Sequence, residues 1–548
     1  MAEPALAQDS SGLLLRQDAN SDPVRFLTPE EQSELDDPFF NLVLKEHADA
    51  TSLSEVEDLI QPSPSQRHTF VVEEKIADPA LGQGRRAVLT YSGSNGSELL
   101  NTDVMLSVFF TSEQFPDRQP IEALGWDDER GRYNYYKLDR QGTGSPSWKF
   151  RGSSENADAL TASQRSGTCM QCHINGAPVM KELLRPWNNW HSLDFPVTYL
   201  QGFQTEDAPP WRVSQDSKLR GGRLGGAETL ERLIISPIRK FNRAKIAKLI
   251  RHDDGGQPIA DASGFQEVTN GKALLKPLFT TTEYNIISAD RILSGLHPFP
   301  EVNTDGPTQP VQIPNSFFLN ANLVGGSRIL NYKGLGVSEA QTFSSTAELS
   351  PEEYKNLIVG SQTKLGDIAP GDAVFAWLVP EPSHIDNDLV DRLMRQGIVT
   401  PEFVAAVAAI DLENPVLSKD REALLDLIPD SFRFKPLEGA DPLKAKRHPD
   451  ELTQTVIDTL KRLKPPSQSP AGELLTILQT DNPKRVLADR VKAYRTTLEA
   501  KLDRRDAASR QAELERLYAV AIARRQAVLR DATLSALNES GDMLFPMP

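Results

Sequence analysis

The chain has 548 residues, which is enough for more than one domain, and 39% of them are hydrophobic. No apolar run approaches the roughly 20 residues that a membrane-spanning helix needs, so we expect no transmembrane segment. The net charge of -16, from 60 basic and 76 acidic residues, argues against nucleic acid as a partner because phosphate binding needs a basic surface.

Residues 1 to 64 are predicted to form a polar, loop-rich N-terminal region. Near its start, Ala5-Leu6-Ala7 has the small-x-small form of a signal-peptidase site, with cleavage before Gln8, although no apolar segment precedes it. The stretch is typical either of a signal-peptide remnant or of an ordinary alanine-rich start. Both interpretations stay open on these residues alone.

Residues 65 to 205 are predicted to form a β-rich domain. Short runs such as "RAVLTY" and "DVMLSVFFT" are rich in β-branched and aromatic residues and are separated by turn residues. The run "GWDDERGRYNYY" predicts a hairpin whose loop extends from Asp127 to Gly131. The same domain ends in a segment that contains both cysteines of the chain.

The rest of the chain is predicted to be mainly helical. Residues 206 to 463 contain a helical stretch, "AETLERLIISPIRKFNRAKIAKLI", and a proline-rich loop near 296 to 317. Thr400 is the predicted N-cap of another helix, with Pro401 as its first residue. After a second break, residues 473 to 548 form a predicted C-terminal helical region. The fold class is therefore α+β, a β-rich domain followed by mainly α-helical domains.

The two cysteines lie three positions apart in "GTCMQCHING", residues 167 to 176. Cys169 and Cys172 are followed directly by His173, which gives C-x-x-C-H, the attachment pattern of c-type haem. This spacing places both sulfurs on one side of a helical turn, where they can form thioethers with the two vinyl groups of one porphyrin. The following histidine is then carried beneath the iron as its axial ligand.

Other roles for the cysteine pair fit the sequence less well. A zinc site would need a fourth strong ligand and usually more cysteines. A redox-active C-x-x-C pair has no need of a histidine at the next position. A disulfide between residues three apart is geometrically strained. We therefore predict one covalently attached haem c.

The stretch from Cys169 to His173 resembles the c-type cytochromes, and the resemblance covers these five residues only. It implies an exported monohaem cytochrome that acts in electron transfer or redox chemistry with a redox partner protein. Because such proteins are matured outside the bacterial cytoplasm or in an equivalent compartment, it favours the signal-remnant interpretation of Ala5 to Ala7 and a periplasmic or otherwise exported location. The lack of other cysteines agrees with that environment.

The β-rich segment before the motif also resembles, in architecture only, the monohaem cytochromes that oxidise hydroxylamine through a lysine-linked haem. That family places the motif near its C-terminus, whereas most of this chain follows it. No linking lysine can be matched, and Lys137 is only a candidate on a predicted strand.

The second iron ligand decides which kind of haem protein the sequence predicts. His191 has enough chain between it and His173 to pass around the porphyrin edge, whereas Met180 has little slack. Two strong axial ligands are typical of electron carriers. An open distal site would instead indicate a haem enzyme or a small-ligand (gas) binder. A third possibility is a structural or interaction protein in which haem is a secondary feature.

A cluster of hydrogen-bond donors follows the motif and could contact the haem propionates. Guanidinium, indole and amide groups all donate to carboxylates. The alternative is a proline-initiated turn with buried tryptophans. The candidate propionate ligands are Arg185, Trp187, Asn188 and Trp190.

Overall fold

The computed structural model of the protein describes most of the chain in separate stretches. These are residues 12–60, 67–75, 83–91, 103–110, 120–139, 145–155, 164, 167–171, 173, 176–178, 190–191, 223–280, 284–288, 311–312, 348–350, 352, 378–382, 384–412, 418–437, 450–502, 512 and 516.

A nine-stranded sheet forms the centre of the N-terminal half. Its strands in chain order are β1 (Leu15–Arg16), β2 (Arg25–Phe26), β3 (Arg67–Lys75), β4 (Gln83–Tyr91), β5 (Val104–Phe110), β6 (Ile121–Asp127), β7 (Arg132–Asp139), β8 (Ser147–Ser153) and β9 (Arg223–Leu224). In space they run β2-β1-β8-β7-β6-β5-β4-β3-β9. Strands β3 to β8 are an antiparallel meander, while β1 and β9 pair in parallel with β8 and β3.

The predicted hairpin is confirmed, because β6 and β7 pair from Ile121 opposite Leu138 to Asp127 opposite Arg132. Side chains alternate between the two faces of a strand, so each face of this sheet collects its own apolar set. On one face these include Val104, Leu106 and Val108 of β5, all buried.

Residues 12–60 cover that face with short helices. They contain α1 (Pro29–Ser33), a π-helical turn (Phe40–Leu44), α2 (Lys45–His47) and α3 (Leu53–Ile60). Apolar residues recur at helical spacing in α3, where Leu53, Val56 and Ile60 are buried against the sheet.

Helix α4 (Ala227–Lys248) confirms the predicted helical stretch, and it covers the opposite face of the sheet. Leu230, Ile234, Ile238 and Phe241 of α4 join an apolar cluster, here called the motif-side core, with residues of the sheet. The remaining members are Phe70, Val88, Met105, Leu124, Trp126, Tyr133, Tyr135, Met170, Ala177, Trp190, Ala227 and Ile385. The segment that contains the cysteine motif therefore packs on the α4 side of the sheet.

The C-terminal half is mainly helical, which confirms the α+β class. Its helices are α5 (Gly271–Phe279), α6 (His384–Gln396), α7 (Pro401–Ala408), α8 (Lys419–Glu422), α9 (Glu451–Leu463), α10 (Pro470–Leu478) and α11 (Pro483–Leu502). Short strand pairs accompany them: β10 (Gln266–Val268) with β15 (Phe432–Phe434), β11 (Tyr284–Ser288) with β14 (Leu378–Pro382), and β12 (Val311–Gln312) with β13 (Glu348–Leu349).

Local signals in the helical half are confirmed where the structure describes them. Thr400 is the N-cap of α7, with its Oγ1 accepting from the Phe403 amide at 3.2 Å, and Pro401 is the first helical residue. Helix α4 connects to this half through the Asn242 amide, which donates to the Ile385 carbonyl at 2.9 Å and to Asp388 Oδ2 at 3.0 Å. Apart from residues 311 and 312, the predicted proline-rich loop at 296 to 317 lies outside the described residues. None of the described helices has the length and apolar character needed to cross a membrane.

Candidate functional site

The cysteine motif adopts a helical turn against the sheet. Residues Cys169–Gln171 form a 3-10 turn, and the His173 amide donates to the Cys169 carbonyl at 3.0 Å. Gly176 follows with a positive φ of 68° and lies so close to β8 that a Cβ there would be 2.5 Å from the Ser154 Cα. Glycine is needed at this point because other residues would strain the backbone and clash. The glycine at position 176 therefore allows the turn to pack closely against the residue that follows β8.

The imidazole of His173 is oriented by a backbone hydrogen bond. Its Nδ1 lies 2.7 Å from the carbonyl oxygen of Ala177, and because a carbonyl only accepts, Nδ1 carries the proton. When this imidazole is neutral, Nε2 is therefore the unprotonated nitrogen and the one able to bind a metal. The Tyr135 ring packs beside the imidazole, with their centroids 5.3 Å apart, and its hydroxyl donates to the same Ala177 carbonyl at 3.2 Å.

A row of polar side chains from neighbouring strands lies on the same face of the sheet. Arg86 of β4 donates to Glu122 Oε2 of β6 at 2.6 Å and to Ser107 Oγ of β5 at 2.9 Å. Lys137 of β7 places its Nζ 3.7 Å from Glu122 Oε1. Glu122 also interacts electrostatically with both His173 and Cys169. Arg86, Glu122 and Lys137, here called the charged row, therefore border the motif.

The surroundings of Cys169 keep its thiol protonated. Burial raises the pKa of Cys169 to about 11, and the Glu122 carboxylate adds to the effect against the opposing charges of Arg151 and Lys137. Cys169 carries a free thiol. Thiol–disulfide enzymes need an activated thiolate with a lowered pKa. The raised pKa therefore argues against that use of the cysteine pair.

Arg151 connects the motif to the first strands of the chain. This side chain is buried, and its guanidinium donates to the Gly167 carbonyl at 2.7 Å and to Asn20 Oδ1 at 2.8 Å. The Asn20 amide also donates to the Gly167 carbonyl, at 3.1 Å. The residue two positions before Cys169 is thus fixed to β8 and to the β1–β2 connection at once.

In space, Trp190 and His191 lie beside the first residue of α4, on the side of the sheet that holds the motif. Trp190 is buried in the motif-side core, and among the described residues its indole Nε1 has no hydrogen-bond acceptor. The His191 backbone is fixed at both ends, since its amide donates to the Val71 carbonyl at 2.9 Å and its carbonyl accepts from Ala227 at 2.8 Å. Burial lowers the pKa of His191 against the opposing Glu228 carboxylate, which favours the neutral imidazole that metals bind.

Several candidate residues lie outside the part of the chain that the structure describes. These are Cys172, Met180, Arg185, Trp187 and Asn188. Cys169, His173 and Trp190 are described, and Cys169, Trp190 and the His173 neighbours Tyr135 and Ala177 pack in or against one core. The sequence analysis missed Glu122, Arg86, Tyr135 and Arg151. Polar residues at alternate positions of predicted strands were a signal, but only the strand register shows which of them share a face.

The described residues fit a haem group attached at this turn. Cys169 offers one sulfur, His173 offers Nε2, and the buried indole of Trp190 offers a donor for which no described residue supplies an acceptor. Within the described stretches, no group of three or more His, Cys, Asp or Glu side chains could by itself hold a metal ion. No protein-family model, curated protein or solved structure matches the chain.

The charged row predicts an acid-dependent loss of stability. Burial alone would raise the pKa of Glu122, but Arg86 and then Lys137 outweigh it and lower that pKa from 4.5 to about 2. As the pH falls, the Glu122 carboxyl is therefore protonated in the unfolded chain before it is protonated in the folded protein. The contribution of Glu122 to the free energy of unfolding is complete above pH 4.5 and is lost as the pH falls toward 2.

Glu122→Gln should remove this pH dependence and should cost about 2 kcal/mol at pH 7, because buried Arg86 loses its charged partner. Urea unfolding curves between pH 2 and pH 7 measure both effects. Glu129→Gln is the matched control, since the Glu129 side chain is 75% exposed, and we expect this variant to unfold with the same acid slope as the wild type. An unchanged acid slope in Glu122→Gln would contradict the role given to the Arg86–Glu122 pair.

Proposed function

We propose that the protein is an exported c-type cytochrome with one haem, bound covalently through Cys169 and Cys172 and ligated by His173. A bound haem would supply a one-electron iron couple for electron transfer or redox chemistry. The proposal includes a periplasmic or otherwise exported location and a redox partner protein. It rests on the C-x-x-C-H sequence together with the contacts of the described part of the motif.

The observation that carries the proposal is the hydrogen bond from His173 Nδ1 to the Ala177 carbonyl, at 2.7 Å. A histidine that ligates a metal typically donates its other ring nitrogen to a backbone carbonyl or carboxylate, which fixes the tautomer and the ring orientation. His173 meets this requirement on the same helical turn as Cys169.

The surroundings supply two further supports. The buried indole N–H of Trp190 has no acceptor among the described residues, and a haem propionate is a negatively charged acceptor. His191 is a half-buried histidine whose neutral form is favoured, as a second axial ligand requires. Of the residues after the motif that we propose contact the haem, Trp190 and His191 are the two that the structure describes.

The charged row favours a second candidate function, a haem enzyme or small-ligand binder with an open distal site. Arg86, Glu122 and Lys137 bring strong hydrogen-bonding and charged groups close to the motif. Polar groups favour the binding or activation of a small ligand where they line the distal side of a haem, so this candidate requires at least one of the three to reach the side opposite His173. The state of the sixth iron position separates this candidate from the electron carrier.

The test is purification of the full chain from an export-competent host with a working cytochrome maturation system. The intact mass should exceed that of the bare polypeptide by one haem, and the absorption spectrum should be that of a haem c. A low-spin ferrous spectrum that carbon monoxide leaves unchanged supports the carrier, and a high-spin spectrum that it shifts supports the open site. A colourless protein with the mass of the bare chain would overturn both.

His191→Ala tests the second axial ligand. If His191 ligates iron, the variant should keep its covalent haem but convert from a low-spin to a high-spin spectrum that responds to carbon monoxide. The matched control is His47→Ala, because His47 is exposed at the end of α2. An identical spectrum in His191→Ala and the wild type would remove His191 from the iron site.

A further inference from the structure

We propose that Tyr135 is a positioning residue that sets how strongly His173 donates to the Ala177 carbonyl, and through it the electron-donating strength of the imidazole. This inference rests on the proposed function, because the effect on reduction potential requires iron at His173. The hydrogen-bonding part of the proposal concerns the polypeptide alone and can be tested without haem.

Two donors converge on one carbonyl oxygen. His173 Nδ1 lies 2.7 Å from the Ala177 oxygen, and the Tyr135 hydroxyl lies 3.2 Å from it. A carbonyl oxygen has two lone pairs, so it can accept from both donors at once. Ala177 is fully buried and Tyr135 is 2% exposed, which keeps bulk water from competing with either donor.

The strands and the motif fix this arrangement from opposite sides. Tyr135 belongs to β7 and shares the motif-side core with Ala177 and Met170. Its ring contacts the imidazole at a centroid distance of 5.3 Å and an interplanar angle of 48°. The tyrosine therefore contacts the histidine in two ways, directly through its ring and indirectly through the shared carbonyl.

Sharing the acceptor weakens the bond from His173. The Tyr135 hydroxyl draws electron density from the Ala177 oxygen, so the His173 N–H meets a poorer acceptor than a carbonyl of its own. A weaker Nδ1–H hydrogen bond makes the imidazole less electron-donating at Nε2. Because a less donating axial ligand stabilises the oxidised iron less, Tyr135 raises the reduction potential of the site.

Tyr135→Phe removes the hydroxyl and keeps the ring. In the haem-loaded protein, potentiometric titration should find a reduction potential lower than that of the wild type, with unchanged haem mass. In the full chain produced without haem, the ¹H–¹⁵N signal of His173 Nδ1 should move downfield, because the proton enters a stronger hydrogen bond. Tyr133→Phe is the control, since Tyr133 is buried on the same strand and in the same core.

A stronger hydroxyl donor at position 135 tests the same proposal, with the opposite shift in reduction potential expected. Incorporating 3-fluorotyrosine at position 135 makes the hydroxyl a stronger donor and should raise the potential above that of the wild type. If Tyr135→Phe fails to fold, this protein still decides the question. A potential and a His173 Nδ1 signal that stay unchanged, or that move the other way, would overturn the proposal. A wild-type protein without haem would refute the cytochrome proposal but not the hydrogen-bonding result.

Discussion

Alanine at His173 is expected to abolish recovery of a stable haem-bound protein, even in a host that attaches haem to the wild type. The substitution removes Nε2, the nitrogen proposed to bind iron, and no other described histidine lies on that turn. Iron would then lose its axial ligand on the side where the polypeptide is attached. Intact mass and the absorption spectrum of the purified protein measure the loss.

The cysteine variants should also lose stable holoprotein, but through the loss of a covalent bond and not of an iron ligand. Cys169→Ala or Cys172→Ala removes one thioether, so a haem adduct would depend on a single sulfur, and we expect little stable holoprotein from either variant. Met170→Leu is the matched control, because Met170 is buried, lies between the two cysteines in the sequence, and can be replaced by leucine at a similar apolar volume. That control should keep the full haem mass. A normal haem spectrum in His173→Ala would contradict the proposed ligation.

The sequence predicted those features of the fold that depend on local patterns. The hairpin loop after Asp127, the α4 helix and the Thr400 cap follow from turn residues, apolar spacing and a hydroxyl before a proline. These signals act over a few residues and need no knowledge of what lies next to them in space. The motif from Cys169 to His173 is local in the same sense, which is why the candidate site was found from sequence.

What the sequence could not supply depends on register and long-range packing. The pairing of Arg86 with Glu122 crosses from β4 to β6 with β5 between them, and it is visible only once the strands are aligned. The contact of Tyr135 with Ala177 joins a strand to the motif loop. Residues 12–60 belong to the region predicted to be polar and loop-rich, but they cover a sheet face because eleven of their apolar residues are buried on the same side. A count of residue types does not show on which side of the segment the apolar side chains lie.

A buried carboxylate on the far side of the sheet gives the largest expected effect on stability. Asp37 is fully buried and accepts hydrogen bonds from the Phe40 amide at 3.0 Å, from Asn134 Nδ2 at 2.9 Å and from the Tyr136 hydroxyl. Three donors hold the carboxylate in one position. Gly125 of β6 faces it directly, and a Cβ at residue 125 would lie 1.9 Å from Asp37 Oδ1.

Gly125→Ala should lower the free energy of unfolding by about 3 kcal/mol, because the new methyl group must displace a carboxylate that cannot move without losing its donors. Urea unfolding of the variant and the wild type at one pH measures the difference. Gly255→Ala is the control: Gly255 is exposed, and the nearest atom to a Cβ there is Asp253 Oδ1 at 3.3 Å. We expect the control to change stability by about 0.5 kcal/mol or less.

A double-mutant cycle separates the clash from a simple loss of backbone freedom at Gly125. Asp37→Ala removes the obstructing carboxylate and is itself destabilising, since Asn134 and Tyr136 lose a buried acceptor. If the clash is the cause, Gly125→Ala should cost far less in the Asp37→Ala background than in the wild type. Equal costs in both backgrounds would assign the effect to the backbone of β6.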